Sequence, residues 1–403
     1  MNDERATVTQ LFLKEWQTIF QNKTIKLIMF AVPLIYFILF GFLYSEKKVQ
    51  ELPTVIVNAD QSELSQELLR AFDQDQSFSV TSVVGSEAEA MDLIEHEEAV
   101  AAVIIPSDLA ANLKKGSEAE VMVVIDGSNM MISNTVVRAA NTVVKSVSAG
   151  VTLKKLEAKG QWGEEGKELF TGIDYRYRVL YNPTFSYMSF MVFGLGGTVL
   201  QQMLFLAVAI SVAVEKEAGT WGETMRRYSF GKLLIGKMTP YLILAMFNLV
   251  LTFAILLKGF GIPYYGNPGL LILLGFVFNV VILLVGFAIS FFATDQLQAT
   301  QIAMLIALPS FMLSGYTWPL YSMPPLIKMI GEALPLTYLL HGVREILSKG
   351  HGLEFILHDV TVLGFMGMIS LTASYVLYVV YRSRNRAESA SPITISEPII
   401  ETD

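Results

Sequence analysis

Cysteine is absent from the 403 residues. That excludes disulfides, thiolate catalysis and Cys-ligated metals. Charge is scarce: 16% of residues are charged, where a soluble domain carries about 25%. Hydrophobic residues make up 53% and the mean hydropathy is +0.48, so an ordinary water-soluble enzyme of two or three domains is disfavoured. The formal net charge is −8, and no basic stripe is present to neutralise nucleic-acid phosphates. The little charge there is lies unevenly. Residues 45–183 hold 13 Lys and Arg against 22 Asp and Glu, a net of −9, while the remaining residues hold 16 against 15, a net of +1. An acidic, soluble-looking block inside a very apolar chain reads as a membrane protein with one large water-exposed insert.

A spanning helix needs about 20 predominantly apolar residues. Six segments qualify: Leu27–Tyr44; Val179–Val214, its helix starting near Tyr187; Met238–Leu257; Gly259–Thr294, starting near Leu270; Gln296–Ile327, broken by Pro309, Pro319, Pro324 and Pro325; and Val360–Tyr381. Six spans put both termini on one side. With the termini inside, the short inner segments carry 12 Lys and Arg in 77 residues and the short outer ones 4 in 58. This bias, and Arg382, Arg384 and Arg386 directly after the last span, favour cytoplasmic termini. Leu27–Tyr44 is not a cleaved leader, because a long amphipathic stretch precedes it and no A-x-A-like site follows. The expected class is an α-helical polytopic membrane protein with six transmembrane helices and an α/β domain between the first two. Its expected parts are an interfacial helix in 1–26, a first span 27–44, an extracytoplasmic domain 45–183 and the remaining spans in 184–381. Within the last of these lie a cytoplasmic loop 215–237 and an outer re-entrant and amphipathic segment 314–358. A disordered cytoplasmic tail, 382–403, completes the chain. In the first part Leu11, Phe12, Trp16, Ile19 and Phe20 share a helical face, with Lys14, Gln17 and Gln21 elsewhere, as suits a helix lying in the membrane interface.

Within the insert, 53–58, 78–84, 99–105 and 120–125 are short β-branched runs. Helical patterns lie between them at 62–72, 87–94 and 107–113. Alternating strands and helices predict an α/β layer domain. A long helix near 133–159 then leads to a Gly- and Glu-rich linker, 160–172. The domain's acidity suits either attraction of cationic ligands or a plainly solvated spacer surface, the latter being the commoner outcome.

Several motifs point to chemistry that the residues do not complete. Gly231 to Met238 nearly spells a phosphate-binding loop, but Met238 replaces the Mg²⁺-binding hydroxyl and no strand precedes it. Lys232 and Lys237 there read as interfacial anchors. His341, His351 and His358 lie near Glu345, Glu354 and Asp359 without a zinc-type spacing, which favours solvated or interfacial histidines over a metal site. The span centres hold no ionisable residue that would mark an ion relay, so energy for any transport comes from elsewhere.

Two segments are more informative. In Glu215-Lys-Glu217-Ala-Gly219-Thr220-Trp-Gly-Glu223-Thr-Met-Arg226-Arg227, Gly219 breaks the outgoing helix. Thr220-x-x-Glu223 has the form of a capping box that starts a new one. Further on, Leu336, Leu339, Leu340, Val343, Ile346 and Leu347 form an apolar face after Pro335, with Arg344, Glu345 and Ser348 on other faces. The Pro-broken backbone before it must be buried in protein or line a watery cavity, as in a re-entrant hairpin.

These features together resemble the ABC-2-type family of ATP-binding-cassette exporter permeases, over nearly the whole chain. Leu11-Phe-Leu-Lys14-Glu15 and Pro33 look like that family's interfacial elbow and first span. Glu215 to Glu223 looks like its E-x-E-x-G-T-x-x-E coupling segment. Leu313-Ser-Gly315, Trp318-Pro319, Met323-Pro324, Pro335-Leu-Thr-Tyr338 and Arg344 resemble its C-terminal signature. Trp221 and Gly222 depart from the leucine-rich run usual in the coupling segment. The resemblance implies Glu215, Glu217, Gly219, Thr220, Glu223, Arg226 and Arg227 as the coupling surface, and Gly315, Trp318, Pro319, Pro324, Pro335, Tyr338 and Arg344 as the outer gate. It implies no catalytic or metal residues and no cofactor on this chain, with ATP and Mg²⁺ on two copies of a cytoplasmic ATPase. A second permease copy or homologue, the lipid bilayer and a small or amphiphilic substrate complete the implied partners. Alternating access in a bacterial plasma membrane is the implied mechanism, and the large insert looks most like the drug- and antibiotic-efflux branch. Gly194, Gly196 and Gly197 offer close packing between permease halves. Exporters of ions or lipids remain open, as does a membrane-anchored ligand receptor or envelope protein. The receptor reading explains the insert but not the six spans.

Overall fold

The computed structural model describes residues 7–45, 49–115, 117, 119–127, 129–158 and 180–390. The linker expected at 160–172 lies outside them. The chain divides into two units, Met1–Lys47 with Val179–Asp403, and Lys48–Arg178.

The inserted unit is a four-stranded sheet with helices between its strands. Its elements are β1 (Leu52–Asn58), β2 (Phe78–Val84), β3 (Ala101–Ile105) and β4 (Met122–Ile125), in spatial order β2-β1-β3-β4. β1 pairs in parallel with β2 and β3, and β4 closes the edge antiparallel to β3. β1 is nearly all buried because both of its faces are covered. On one face Leu52 and Ile56 pack with Leu68, Phe72, Val136, Ala140 and Val143. On the other, Val55 and Val57 pack with Ala90 and Ala99. The α/β expectation holds, strand by strand.

In the helical unit, α1 (Val8–Gln21) precedes α2 (Lys23–Leu43). After the insert come α7 (Tyr187–Glu217), α8 (Trp221–Arg227), α9 (Phe230–Gly259), α10 (Pro268–Ser290) and α11 (Gln296–Leu313). The insert's own helices are α3 (Glu63–Gln74), α4 (Glu87–Glu95), α5 (Leu109–Lys115) and α6 (Met130–Ala158). The unit ends with α12 (Pro325–Glu332), α13 (Pro335–Val343), a π-turn Arg344–Ser348, and α14 (Leu353–Ala390). Six of these helices, α2, α7, α9, α10, α11 and the Leu353–Arg384 part of α14, are long and apolar enough to cross a membrane.

α7 is the core helix, with one buried residue after another from Met203 to Ala213. Pro33 in α2 shows how the sequence handles a helix breaker. Proline cannot donate to the carbonyl four residues back, which here is that of Met29. The backbone widens into a π-turn over Leu27–Ala31. The Met29 carbonyl instead accepts from Asn248 Nδ2 of α9 at 2.9 Å.

Three expectations change. The fifth apolar stretch does not run on to residue 327, because α11 stops at Leu313 and Gly315 turns the chain at φ +79°. The tail expected to be disordered from 382 begins as helix, since α14 continues to Ala390. No Gly or Pro falls between Gly367 and Pro392 to stop it, and Arg382 Nη1 donates to the Tyr378 hydroxyl at 2.7 Å. Gly194 and Gly197 serve packing inside this chain: a Cβ at Gly194 would lie 2.5 Å from the Tyr316 ring, and one at Gly197 2.6 Å from Leu340.

Candidate functional site

At one end of the helical unit, α7 stops at Glu217. Gly219 adopts φ +68°, a conformation that favours glycine, and its N–H donates to the Lys216 carbonyl at 3.0 Å. The chain re-enters helix at once as α8. Thr220 therefore has helical angles, φ −89° and ψ −13°, and makes no side-chain cap. Its hydroxyl lies 3.3 Å from the Glu215 carbonyl. The expected capping box is absent, because a capping side chain needs an extended backbone at that position. A capping box does form at Thr7 and Gln10, which opens α1.

α8 has two faces. Trp221, Thr224 and Met225 are buried, and the Trp221 ring meets Phe291 edge-on. Glu223, Arg226 and Arg227 face outward. The Tyr228 carbonyl accepts from the Tyr378 hydroxyl at 3.0 Å, which ties the far end of α8 to α14.

The remaining coupling candidates are engaged inside the unit. Glu217 accepts from the Gln296 backbone N–H at 2.8 Å and from Gln296 Nε2 at 2.6 Å, so it holds the start of α11. Lys216 Nζ donates to the carbonyls of Ser290, Phe291 and Ala293, satisfying the C-terminus of α10. Glu215 is 4% exposed. It pairs with Lys237 and with Lys14, each at 3.3 Å.

Behind Glu215 lies a charge cluster that sequence reasoning missed. Glu15 and Lys237 are both fully buried, 2.8 Å apart. Tyr241 donates its hydroxyl to Glu15 at 2.8 Å, and Lys237 donates to the Ser211 carbonyl at 3.3 Å. Burial pushes the Glu15 carboxyl above its ordinary value, against the pull of Lys237. Lys237 is thus no interfacial anchor, and Gly231–Met238 is helix rather than a phosphate loop. α1 buries Leu11, Glu15 and Ile19, a row spaced by four that runs through the charge. Along the neighbouring face Phe12 instead meets Trp16 edge-on and Trp16 stacks on Phe20. The signal was Gly236 beside Lys237: a Cβ there would lie 3.0 Å from Leu11, so the glycine lets α1 approach.

At the other end, the chain between α11 and α13 forms the hairpin. Gly331 packs so tightly that a Cβ would lie 2.4 Å from the Leu313 carbonyl. Tyr316 is buried, and its hydroxyl donates to the Phe190 carbonyl at 2.5 Å. Burial pushes its pKa up to about 12. Arg344 donates to the Tyr316 carbonyl at 2.9 Å and lies 4.3 Å from the ring centroid. Pro335 opens α13, and the Tyr338 hydroxyl donates to the Glu332 carbonyl. Pro319 precedes a 3₁₀ turn and Pro324 precedes α12. Trp318 is exposed. Gly315, Pro319, Tyr338 and Arg344 line one cleft of about 790 Å³; Trp318, Pro324 and Pro335 do not.

The expected apolar face of α13 and its π-turn is buried throughout. Glu345 is buried as well, contrary to its expected place on an outer face. It binds Lys349, and His351 Nδ1 at 2.6 Å. Burial alone would raise its carboxyl, yet Lys349, His351 and His341 hold it below the ordinary value. His341 Nδ1 meets Asp359 at 2.8 Å, and that hydrogen bond raises its pKa above 6.5. His341 and His351 are ion-pair partners, and no group of three His, Asp or Glu is placed to hold a metal among the described residues.

Comparison with known proteins covers most of the chain. Residues 23–376 match a family described as ABC-2 family transporter protein. The probable multidrug ABC transporter permease YbhR of Escherichia coli (strain K12) is 25% identical over 369 residues, 91% of this chain and 97% of that one. The probable multidrug ABC transporter permease YbhS of the same strain is 26% identical over 280 residues, 69% of this chain and 70% of its own length. The linearmycin resistance permease protein LnrN of Bacillus subtilis (strain 168) is 24% identical over 352 residues, covering 83% and 90%.

Proposed function

The chain belongs to the ABC-2 family of transporter proteins and is a multi-pass permease of an ATP-binding-cassette exporter; from that premise we propose how it works. Two copies, or this chain and a homologous permease, assemble with two cytoplasmic ATPase subunits. ATP and Mg²⁺ stay on those subunits. Both termini face the cytoplasm of a bacterial cell, and the α/β unit lies outside. The substrate is a drug, antibiotic or other amphiphile, consistent with the names of the relatives, and it leaves by alternating access.

The observation that carries this reading is α8. One face, Trp221, Thr224 and Met225, is built into the helical unit, and the other presents Glu223, Arg226 and Arg227. A short helix fixed on one side and charged on the other suits force transfer from a docked partner. The fixed side connects through Glu215 to Lys237, Lys14 and α1, and through Glu217 to α11. A push on α8 therefore reaches α1, α7, α9 and α11 through short polar links. Glu215 and Glu217 act here as internal links, and the exposed residues make the partner contact.

The test is co-purification with the ATPase subunit. Glu223→Lys with Arg226→Glu and Arg227→Glu should leave expression normal and abolish association or substrate-stimulated hydrolysis. Wild-type association and hydrolysis in that variant would remove α8 from the contact. Topology is checked separately by placing a single Cys at Ala88, an exposed site in this Cys-free chain. An impermeant reagent should label it in intact cells; labelling only after lysis would invert the orientation.

A further inference from the structure

The cleft behind the hairpin has a feature that the export reading does not use. Its lining carries one guanidinium, Arg344, with the Glu332 and Asp359 carboxylates and two histidines, His341 and His358. Asp359 is paired with His341 at 2.8 Å, and Glu332 with Lys328 at 3.6 Å. Arg344 is half-buried in the wall and has no carboxylate within pairing distance among the described residues. It donates to one carbonyl and lies over the Tyr316 and Phe190 rings. A guanidinium carries five donors in a planar fork, more than its contacts with Tyr316 use. Beside it, the Thr317 hydroxyl is buried in the same wall with no hydrogen-bond partner among the described residues. A buried hydroxyl without a partner is costly, and a ligand oxygen would relieve that cost. The rest of the lining sets Ser314, Thr337 and His358 among apolar and aromatic groups that include Leu320, Leu340, Val362 and Tyr321.

We infer that this cleft binds an amphiphile with an anionic headgroup, a phosphate or carboxylate held by Arg344 and the Thr317 hydroxyl, with its tail along Leu320, Leu340 and Val362. A planar fork with a neighbouring hydroxyl recognises two oxygens of such a head at once. A cationic head placed at Arg344 would be repelled by the guanidinium and bind worse there. The headgroup has two possible sources, an anionic lipid of the bilayer or a free anionic amphiphile. The proposal goes beyond the export reading and needs only the membrane-protein fold, since it concerns binding to the permease alone.

The experiment uses the full chain purified in a neutral maltoside detergent, with binding read by native mass spectrometry and by thermal stabilisation. The probes are dodecyl phosphate, dodecyltrimethylammonium and short-chain phosphatidylglycerol. Wild type should bind dodecyl phosphate and not the ammonium. Arg344→Gln should weaken that binding about tenfold, the scale of a charge-assisted hydrogen bond, and Arg344→Lys should weaken it less. Because Arg344 also holds Tyr316, its loss can perturb folding, so Thr317→Val is the second arm. It removes a hydroxyl that has no hydrogen-bond partner among the described residues, and should cost about threefold with a melting temperature no lower than that of wild type. Binding of phosphatidylglycerol that dodecyl phosphate displaces supports the site with lipid as the source. Binding of dodecyl phosphate alone supports it with a free amphiphile. Equal binding of the ammonium, or anion binding indifferent to both Arg344→Gln and Thr317→Val, would overturn it. None of these outcomes depends on the ATPase, so failure here leaves the export reading standing.

Discussion

The two ends of the helical unit each gather charge, but under opposite conditions. At the α8 end, Glu15 and Lys237 are fully buried, with Tyr241 and Ser211 completing their bonds. At the hairpin end, the His341 side chain is 52% exposed although its partner Asp359 is buried, and Lys349 and His351 pair with Glu345 from partly exposed positions. A fully buried pair makes its surroundings depend on both partners, because either charge alone would be stranded in a medium of low polarity. A half-exposed set can exchange partners with water and respond to pH. The first arrangement suits a joint that transmits force without slipping. The second suits a mouth that changes its partners.

The sharpest way to break this contrast is Lys237→Met. Glu15 would stay buried with Tyr241 as its donor and the Glu215 carboxylate as a like-charged neighbour, at a cost of about 3–5 kcal/mol. Thermal unfolding of the purified chain should show the loss, and adding Glu15→Gln should recover part of it. If Lys237→Met melts like wild type, the cluster is solvated and the contrast disappears. Gly331→Ala tests the hairpin end. Its Cβ would meet the Leu313 carbonyl at 2.4 Å, and overpacking of that kind costs about 1–3 kcal/mol. The same substitution at Gly364, where nothing lies within 4 Å, should be tolerated.

A smaller effect concerns pH. The pKa of His341 is raised by its hydrogen bond to Asp359, with Glu345 reinforcing and burial and Lys349 opposing. A raised histidine contributes stability that is fully present below about 6.5 and lost as pH rises through the raised value. Asp359→Asn should therefore flatten the fall in melting temperature above neutral pH, and an unchanged slope would assign it to another group. The smallest effect is expected at Thr220. Its side chain makes no cap, so Thr220→Ala should change stability by no more than about 0.5 kcal/mol. A loss of about 1 kcal/mol or more, the usual cost of a missing cap, would restore the capping box read from the sequence.

Much of this molecule was legible before its fold was known. Long uncharged runs can only be buried or lie in lipid, so six of them located six spans. In the insert, β-branched runs separated by helical patterns placed all four strands, since each period allows one local geometry. Gly219 marked a helix end correctly because a positive φ is a local demand. Local patterns misled where a neighbour decided the outcome. Thr220-x-x-Glu223 has the letters of a capping box, but Gly219 sets a backbone that leaves the threonine helical. Lys237 reads as an anchor at a span entry until Glu15, 222 residues earlier, is seen beside it.

The sequence by itself therefore determined the strands of the insert, the long apolar helices and which of them suit a membrane, because hydrophobicity and backbone propensity act over one or two turns. Only the tertiary structure decided which charges are buried, which glutamates of the Glu215–Glu223 segment are internal links, and that Arg344 has no carboxylate partner among the described residues. Pairing depends on where side chains hundreds of residues apart arrive. The cost or gain of a charge is set by the groups within a few ångströms of it, and the order of residues along the chain does not contain that distance.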